Sequence, residues 1–382
     1  MSDSSQSTSQ LTRRSAAQLL AALPFATARG TAANGAVTVG LLGSGNRGTF
    51  VAGLLQKHTQ GRVVALCDLF DEKMQEAKKS IGLDSPKMFK DFREMLRSDV
   101  DAVIIATPVF LHAEHFEAAV KAGKHIYIEK PAAADVEGCK RIIRAADSAD
   151  RKLNIAFGFQ RRYGQLYQKA RRAQESGAIG RVLMGRACFI KNGGPGTEEG
   201  AQPPRPKTDL EKAVDWDRWQ DLSGDLIVEN NVHSIDVLNW FLGGRPQSAI
   251  GSGGRTKNGM GDLRDHNFVA FEYPSGVQGQ LTGTSLAPPG YRDVMEQFFG
   301  EKGVIETSEN HWRHWMSRDK EISEKAPRNI TIDAVEEFVK RIAEKRPENV
   351  GIRGAESTLT AILGRMAMEK RREVTWDEMM RS

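Results

Sequence analysis

Three groups of residues have types and spacings that can do chemistry. Lys130 stands between the apolar run His125 to Glu129 and a proline, in the tripeptide Glu129-Lys130-Pro131. An ammonium held at a strand end can donate a hydrogen bond to a hydroxyl or carbonyl oxygen and stabilise the charge that develops on it. The second group is Glu229, His233 and Asp236, spaced four and three apart, which one helical face would bring together. A histidine titrating near neutral pH beside carboxylates suits proton transfer, with one carboxylate orienting the ring. The same set could ligate a metal. Two carboxylates and one histidine without a further clear ligand make the acid–base reading the stronger, so no metal is expected.

The third group is a glycine turn. Val37 to Leu42 reads as a buried parallel strand, Gly43-Ser44-Gly45-Asn46-Arg47-Gly48 fits G-x-G-x-x-G, and Thr49 to Gln56 has helical spacing. In such a turn the first glycine permits the bend and the second lets the backbone approach a pyrophosphate. The third lets helix and strand pack closely, with the helix amides facing the phosphates. A second strand, Arg62 to Cys67, ends in Asp68, 20 residues beyond Gly48. A carboxylate there accepts hydrogen bonds from a ribose diol and repels a 2′-phosphate, so the expected cofactor is NAD.

The elements that must position these groups alternate at first. Short apolar strands at Ala102 to Ala106, His125 to Glu129 and Leu153 to Phe157 are separated by amphipathic stretches at Phe70 to Ser80, Phe89 to Leu96, His112 to Ala122 and Ala134 to Asp150. That alternation predicts an α/β fold: a Rossmann doubly wound parallel sheet over residues 36–157. Ligands in such sheets bind beyond the carboxyl ends of the strands, which places Thr107, Pro108, His112, Glu129 and Lys130 beside the glycine turn as cofactor-binding candidates. Past Gly158 the pattern changes to a helix at Tyr163 to Ser176, a strong helix at Ile227 to Leu242, and then a run of strands. This predicts an α+β domain over 158–382 with a largely antiparallel open sheet, closed by helices at Thr331 to Lys345 and Gly354 to Lys370 that pack back on the first domain. Arg161, Arg162 and Tyr163 follow the last Rossmann strand and are candidates to reach a substrate, as is Asp236. Trp216, Trp219 and Trp240 could stack on sugar rings, although tryptophans serve more often as core.

The 382 residues are 40% hydrophobic and 27% charged, with a net charge of +5, an ordinary soluble composition. The cations are scattered, without a basic run interleaved with aromatics, so nucleic acid is not an expected partner. Cys67, Cys139 and Cys188 are far apart and indicate neither a zinc site nor a disulfide framework. Residues 1–30 differ from the rest: a serine-rich polar stretch, the pair Arg13-Arg14, a mildly apolar run from Ala16 to Ala28, and Ala26-Thr27-Ala28. That order resembles a twin-arginine export signal and predicts a periplasmic or extracytoplasmic protein, free of the membrane once the signal is removed.

Taken together, GSGNRG, the strand ending in Asp68, Ala106-Thr107-Pro108, Glu129-Lys130-Pro131 and the Glu229 to Asp236 helix resemble the glucose-fructose oxidoreductase/inositol dehydrogenase/MocA (Gfo/Idh/MocA) family, over about Val37 to Met380. The resemblance implies Lys130 and His233 as catalytic residues, His233 taking the hydroxyl proton. It also implies a cis bond before Pro131 and an open sheet that mediates a dimer or tetramer. Glu229 stands where members commonly have aspartate, which leaves its partner, substrate or His233, open. The implied activity is NAD-dependent oxidation of a secondary hydroxyl on a sugar, cyclitol or glycoside. In an exported protein the nucleotide would stay bound and be recycled in place. Two alternatives remain: a glycoside hydrolase working by transient oxidation and elimination, and a sugar-binding protein that keeps the nucleotide fold without turnover.

Overall fold

Short apolar runs separated by amphipathic helices build the first sheet. The computed structural model describes residues 36–194, 200–257, 259–274, 276–317 and 320–382; the expected export segment lies outside them. β1 (Thr38–Leu42), β2 (Arg62–Cys67), β3 (Lys87–Phe89), β4 (Ala102–Ile105), β5 (His125–Ile128) and β6 (Ile155–Phe157) are all parallel, in the order β3-β2-β1-β4-β5-β6. Helices α1 (Asn46–His58), α2 (Asp71–Ile81), α3 (Phe92–Arg97), α4 (His112–Lys121) and α5 (Val136–Asp147) make the crossovers. Their boundaries follow local chemistry. Asp91 and Asp135 cap α3 and α5 by accepting amide hydrogen bonds from Arg93 and Gly138, and Gly82 ends α2 at φ +76°. β3 corrects the expectation of a helix starting at Phe89: three residues of strand precede Asp91, too short a run to show period-two alternation.

The second half is built on one broad sheet. α6 (Gln165–Glu175) leads to β7 (Val182–Lys191), and the expected helix from Ile227 to Leu242 is in fact two, α7 (Leu226–Glu229) and α8 (Val232–Leu242), broken at Asn230-Asn231. β8 (Ser248–Gly254), β9 (His266–Glu272), β10 (Gln278–Thr284), β11 (Arg292–Gly300), β12 (Val304–Thr307), β13 (His311–Ser317) and β14 (Lys320–Lys325) follow, then α9 (Ile330–Ala343), α10 (Gly351–Lys370) and β15 (Val374–Thr375). The order is β14-β13-β12-β11-β7-β10-β9-β8-β15, antiparallel except for the parallel β7–β10 pair. β13 and β14 carry Trp, His, Arg, Lys and Glu in place of an apolar run and were not expected from the sequence.

α6, α8 and α10 cover one face of this sheet. The long helix α10 ties the two halves together. A Cβ at Gly354 would come within 2.6 Å of the Phe157 ring, so the absence of a side chain lets α10 lie against β6. Further along the helix, Thr358 accepts from the Ala132 amide at 2.9 Å, Ser357 donates to Asp236 at 2.7 Å, and Arg365 donates to the carbonyls of Ala134 and Gly224. Residues just past Lys130 and residues on α8 are therefore both referenced to one rigid element. A continuous buried core running from Ile105 and Phe157 through Leu359 and Ile227 to Phe298 stiffens the frame. α9 closes the opposite face of the first sheet, with Phe338 edge-on to Tyr127 at 5.6 Å.

Candidate active site

The glycine turn is shaped by backbone approaches that no side chain would permit. Gly43 sits at φ +92°, and a Cβ there would lie 2.5 Å from the Ala106 carbonyl oxygen. A Cβ on Gly48 would lie 2.0 Å from the Gly43 carbonyl oxygen, which explains why α1 can start so close to β1. Over Gly45 the space is open to 4 Å. Gly45 is also the N-cap of α1 and supplies no side-chain acceptor to its first-turn amides, and the Ser44 hydroxyl is buried without a hydrogen bond. Open amides at a helix start above an open glycine fit a dinucleotide pyrophosphate. Asp68 accepts from the Ser44 amide at 2.7 Å and the Phe70 amide at 3.0 Å, which fixes its carboxylate at the edge of the turn, where a ribose diol fits. Asn46 and Arg47 open the helix itself.

Lys130 leaves the end of β5 through a cis peptide to Pro131. Its ammonium donates to the Glu229 carbonyl at 2.5 Å and to Glu229 Oε1 at 2.7 Å. A lysine has three donors, so one remains for a substrate oxygen. Glu229 is thereby the partner of Lys130: the break at Asn230-Asn231 turns it out of register with α8 and towards β5. Burial pushes the Glu229 pKa up, but Lys130 outweighs it and holds the group ionised. His233, in the first turn of α8, has no hydrogen-bond partner on either ring nitrogen among the described residues, and Nδ1 is buried. The expectation that a carboxylate orients this ring is therefore corrected. What positions it is packing, edge-on to Phe159 at 6.2 Å. Burial, followed by the charges of Lys130, Arg161, Arg47 and Lys191, holds its pKa well below the usual histidine value. At neutral pH it is an uncharged imidazole, the form a base needs.

Behind His233 lies a buried ionic cluster. Arg161 is 1% exposed and donates to Glu296 at 2.5 Å and to the Ser234 hydroxyl at 2.9 Å. Glu296 also accepts from Ser234, Tyr167 and Thr307, at 2.7, 3.2 and 3.0 Å. The residue next to His233 is thus fastened to β11, β12 and α6 at once. Arg161 consequently faces the interior and is unavailable to a ligand, against expectation. On the other side of Glu229, Asp225 adopts φ +83°, a costly conformation for a residue with a Cβ. It is held there by accepting from the Arg264 amide and guanidinium at 2.8 and 2.5 Å and from the Leu226 amide at 2.9 Å.

Several other candidates have different occupations. His112 is 1% exposed, with Nδ1 2.7 Å from the Pro131 carbonyl and Nε2 2.8 Å from the Thr107 carbonyl. It clamps the turns after β4 and β5 together and does not face a cofactor. Pro108 precedes a single 3-10 turn, and the Thr107 hydroxyl is bonded to His115. Glu129 is buried against Gly158 and ion-paired with Arg47 at 2.8 Å, so it steadies the glycine turn from below. Arg162 and Asp236 form a bidentate pair at 2.8–3.0 Å, with Asp236 1% exposed and also accepting from Ser357. Arg162 and Tyr163 instead line a separate cavity of about 640 Å³ with Trp240, Arg341 and Glu348. Trp219 is core, its indole donating to Asp215 at 3.1 Å. Trp216 is half-buried in the turn 216–218, whose Asp217 has its pKa raised by burial and by the charge of Glu229.

Lys191, at the end of β7, was not foreseen. It is half-buried and close enough to lower the His233 pKa, and a lone lysine at a strand end carries no sequence signal. Among the described residues no group of three or more His, Cys, Asp or Glu side chains could hold a metal ion.

Comparison with known proteins identifies the family. The profile of the GFO_IDH_MocA oxidoreductase family, NAD-binding Rossmann fold, matches residues 37–157, and that of the GFO/IDH/MocA C-terminal domain matches 167–306. A myo-inositol 2-dehydrogenase of Thermotoga maritima is 26% identical over 272 residues, 70% of this chain and 74% of the relative. An inositol 2-dehydrogenase of Saccharopolyspora erythraea is 29% identical over 271 residues, 70% and 72% of the two chains. Among solved structures, a levoglucosan dehydrogenase in complex with NADH and levoglucosan superposes with a TM-score of 0.75 at 20% identity, covering 89% of this chain and 99% of that one. An apo scyllo-inositol dehydrogenase of Lactobacillus casei gives 0.70 at 21%, covering 90% and 98%. At these identities the structural likenesses establish the fold.

Proposed function

The chain belongs to the Gfo/Idh/MocA oxidoreductase family, and from that premise we propose that it is an NAD-dependent dehydrogenase acting on a secondary hydroxyl of a sugar, cyclitol or glycoside. The observation that carries this reading is the hydrogen bonding of Lys130, at the end of β5, to Glu229, just ahead of the helix that begins at Val232 and carries the uncharged His233. NAD held on the glycine turn supplies the two-electron acceptor for a carbinol carbon. The free donor of Lys130 binds the hydroxyl oxygen and stabilises it as it becomes alkoxide-like. His233, uncharged and free of protein partners, takes the hydroxyl proton. Glu229 holds the Lys130 ammonium in place through its carbonyl and its carboxylate. The names of the inositol and levoglucosan dehydrogenases support polyol and sugar hydroxyls as the substrate class.

Two finer statements belong to the same proposal. The order of polar, arginine-pair, apolar and Ala-x-Ala segments in residues 1–30 supports export, and an exported enzyme with scarce free dinucleotide would retain and recycle its NAD(H). The uncovered face of the broad sheet exposes Met184, Ile250 and Phe268, which supports pairing with a second copy of the chain. The deciding experiment presents purified protein with a panel of sugars and cyclitols while the near-ultraviolet absorbance of reduced nicotinamide is followed. Reduction of bound NAD by at least one of them is expected. Absence of any spectral change and of any product, in folded protein that binds NAD, would refute the dehydrogenase reading.

A further inference from the structure

We infer that the substrate carries a carboxylate on its sugar or cyclitol frame, and that Lys191 together with Arg292 forms the subsite that receives it. The inference rests on the dehydrogenase reading only for the polyol frame; the charge argument is separate. β7 ends at Lys191 and β11 begins at Arg292, and the antiparallel register sets these residues directly opposite. Their side chains therefore leave the same face, the face that also carries Phe189, Val294 and Glu296 beneath α8. Like charges directly opposite one another destabilise a strand pair unless a counter-charge lies between them.

The other cations of this wall have such a counter-charge. Lys130 has Glu229 at 2.7 Å, Arg47 has Glu129 at 2.8 Å, and Arg161 has Glu296 at 2.5 Å. Arg292 has Glu309 at 3.6 Å, a carboxylate it shares with Arg161. The Lys191 ammonium has neither hydrogen bond nor ion pair among the described residues; it stands over the Phe189 ring, 5.7 Å from its centroid. Burial lowers its pKa; Glu229 and Glu309 counter this, while Lys130 and Arg292 add to it. A half-buried ammonium beside a second cation, with no anion of its own, is a site for one negative charge.

One surplus charge matches one carboxylate better than a phosphate, which brings up to two. The subsite would also assist the chemistry. When His233 accepts a proton it becomes a cation among Lys130, Arg161, Arg47 and Lys191, and a carboxylate on Lys191 offsets one of these repulsions.

The test uses the NAD-loaded full chain and calorimetric titration with matched pairs: glucose and glucuronate, galactose and galacturonate, with glucose 6-phosphate as a further arm. At least one uronate is expected to bind about 10- to 100-fold tighter than its neutral partner, the span of a hydrogen bond to a charged group. Lys191→Met should bring that ratio down towards one with NAD still bound, and Lys191→Arg should restore part of it. Equal binding of both members of each pair, or an unchanged ratio in Lys191→Met, overturns the subsite. A preference for the phosphate overturns the carboxylate assignment. Lys191-dependent uronate binding with no nicotinamide reduction by any member of the sugar and cyclitol panel would sustain the subsite and refute the dehydrogenase reading instead.

Discussion

The glycine turn and the cleft around His233 solve different problems with different materials. The turn is backbone: Gly43, Gly45 and Gly48 lie within six residues, Gly43 and Gly48 close against Ala106, Leu41 and each other while Gly45 is left open. Its acidic companion, Asp68, is one strand away and grips the turn through the Ser44 amide. The cleft is made of side chains brought from far apart. Lys130 meets Glu229 across 99 positions, and Arg161 meets Glu296 across 135. A cradle for a common nucleotide can be local, because pyrophosphate needs only amides and room. A site that moves a proton needs charges opposed at fixed distance in a partly buried space, and only a tertiary frame supplies that.

The comparison can be broken most forcefully at His233. His233→Asn should lower kcat/KM by about 10²- to 10⁴-fold while leaving nucleotide affinity near that of the parent, read by steady-state kinetics beside NAD titration. A loss of nucleotide binding of similar size would mean that the two regions are not separable. Next in size is the cluster behind the histidine. Arg161→Met leaves Glu296 buried without its cation and should destabilise the fold by about 3–5 kcal/mol in urea unfolding. In whatever protein folds, activity should suffer more than NAD binding.

Smaller effects test the turn. Gly48→Ala forces a methyl against the Gly43 carbonyl and should cost about 1–3 kcal/mol, appearing mainly as lost NAD affinity. A variant that binds NAD normally would show that helix and strand can separate there without harm. The mildest test is pH. Because burial and four neighbouring cations hold the His233 pKa well below 6.5, protonation should switch the base off only on the acid side of that value. The acid limb of kcat/KM should therefore lie below pH 6.5, with activity retained as pH rises above it. A limb at or above pH 6.5 would place the working proton on another group.

Much of this was legible in the chain. The parallel sheet announced itself through continuous apolar runs, because strands buried on both faces leave no polar positions. GSGNRG, Asp68 and Lys130 were legible because their places are set by strand ends a few residues away. The helix from Ile227 to Leu242 misled, since apolar residues at helical spacing (Val228, Val232, Ile235, Leu238) continue across the break at Asn230-Asn231. Arg162, Asp236 and His112 looked like ligand-binding groups because a polar side chain near a cleft has the same sequence signature as one pinned beneath it.

By itself, then, the sequence determined the nucleotide cradle, the strand–helix alternation that builds the first sheet, and the positions of the lysine and histidine proposed to act on the substrate. Periodicity and turn chemistry act over a few residues, and these features live on that scale. Which carboxylate holds Lys130, which arginine is buried, and which lysine is left without a counter-charge were decided only when α10 and the broad sheet closed over β5. Charge pairing depends on distances of a few ångströms between residues as far apart in sequence as Arg161 and Glu296, 135 positions, and no local pattern records them.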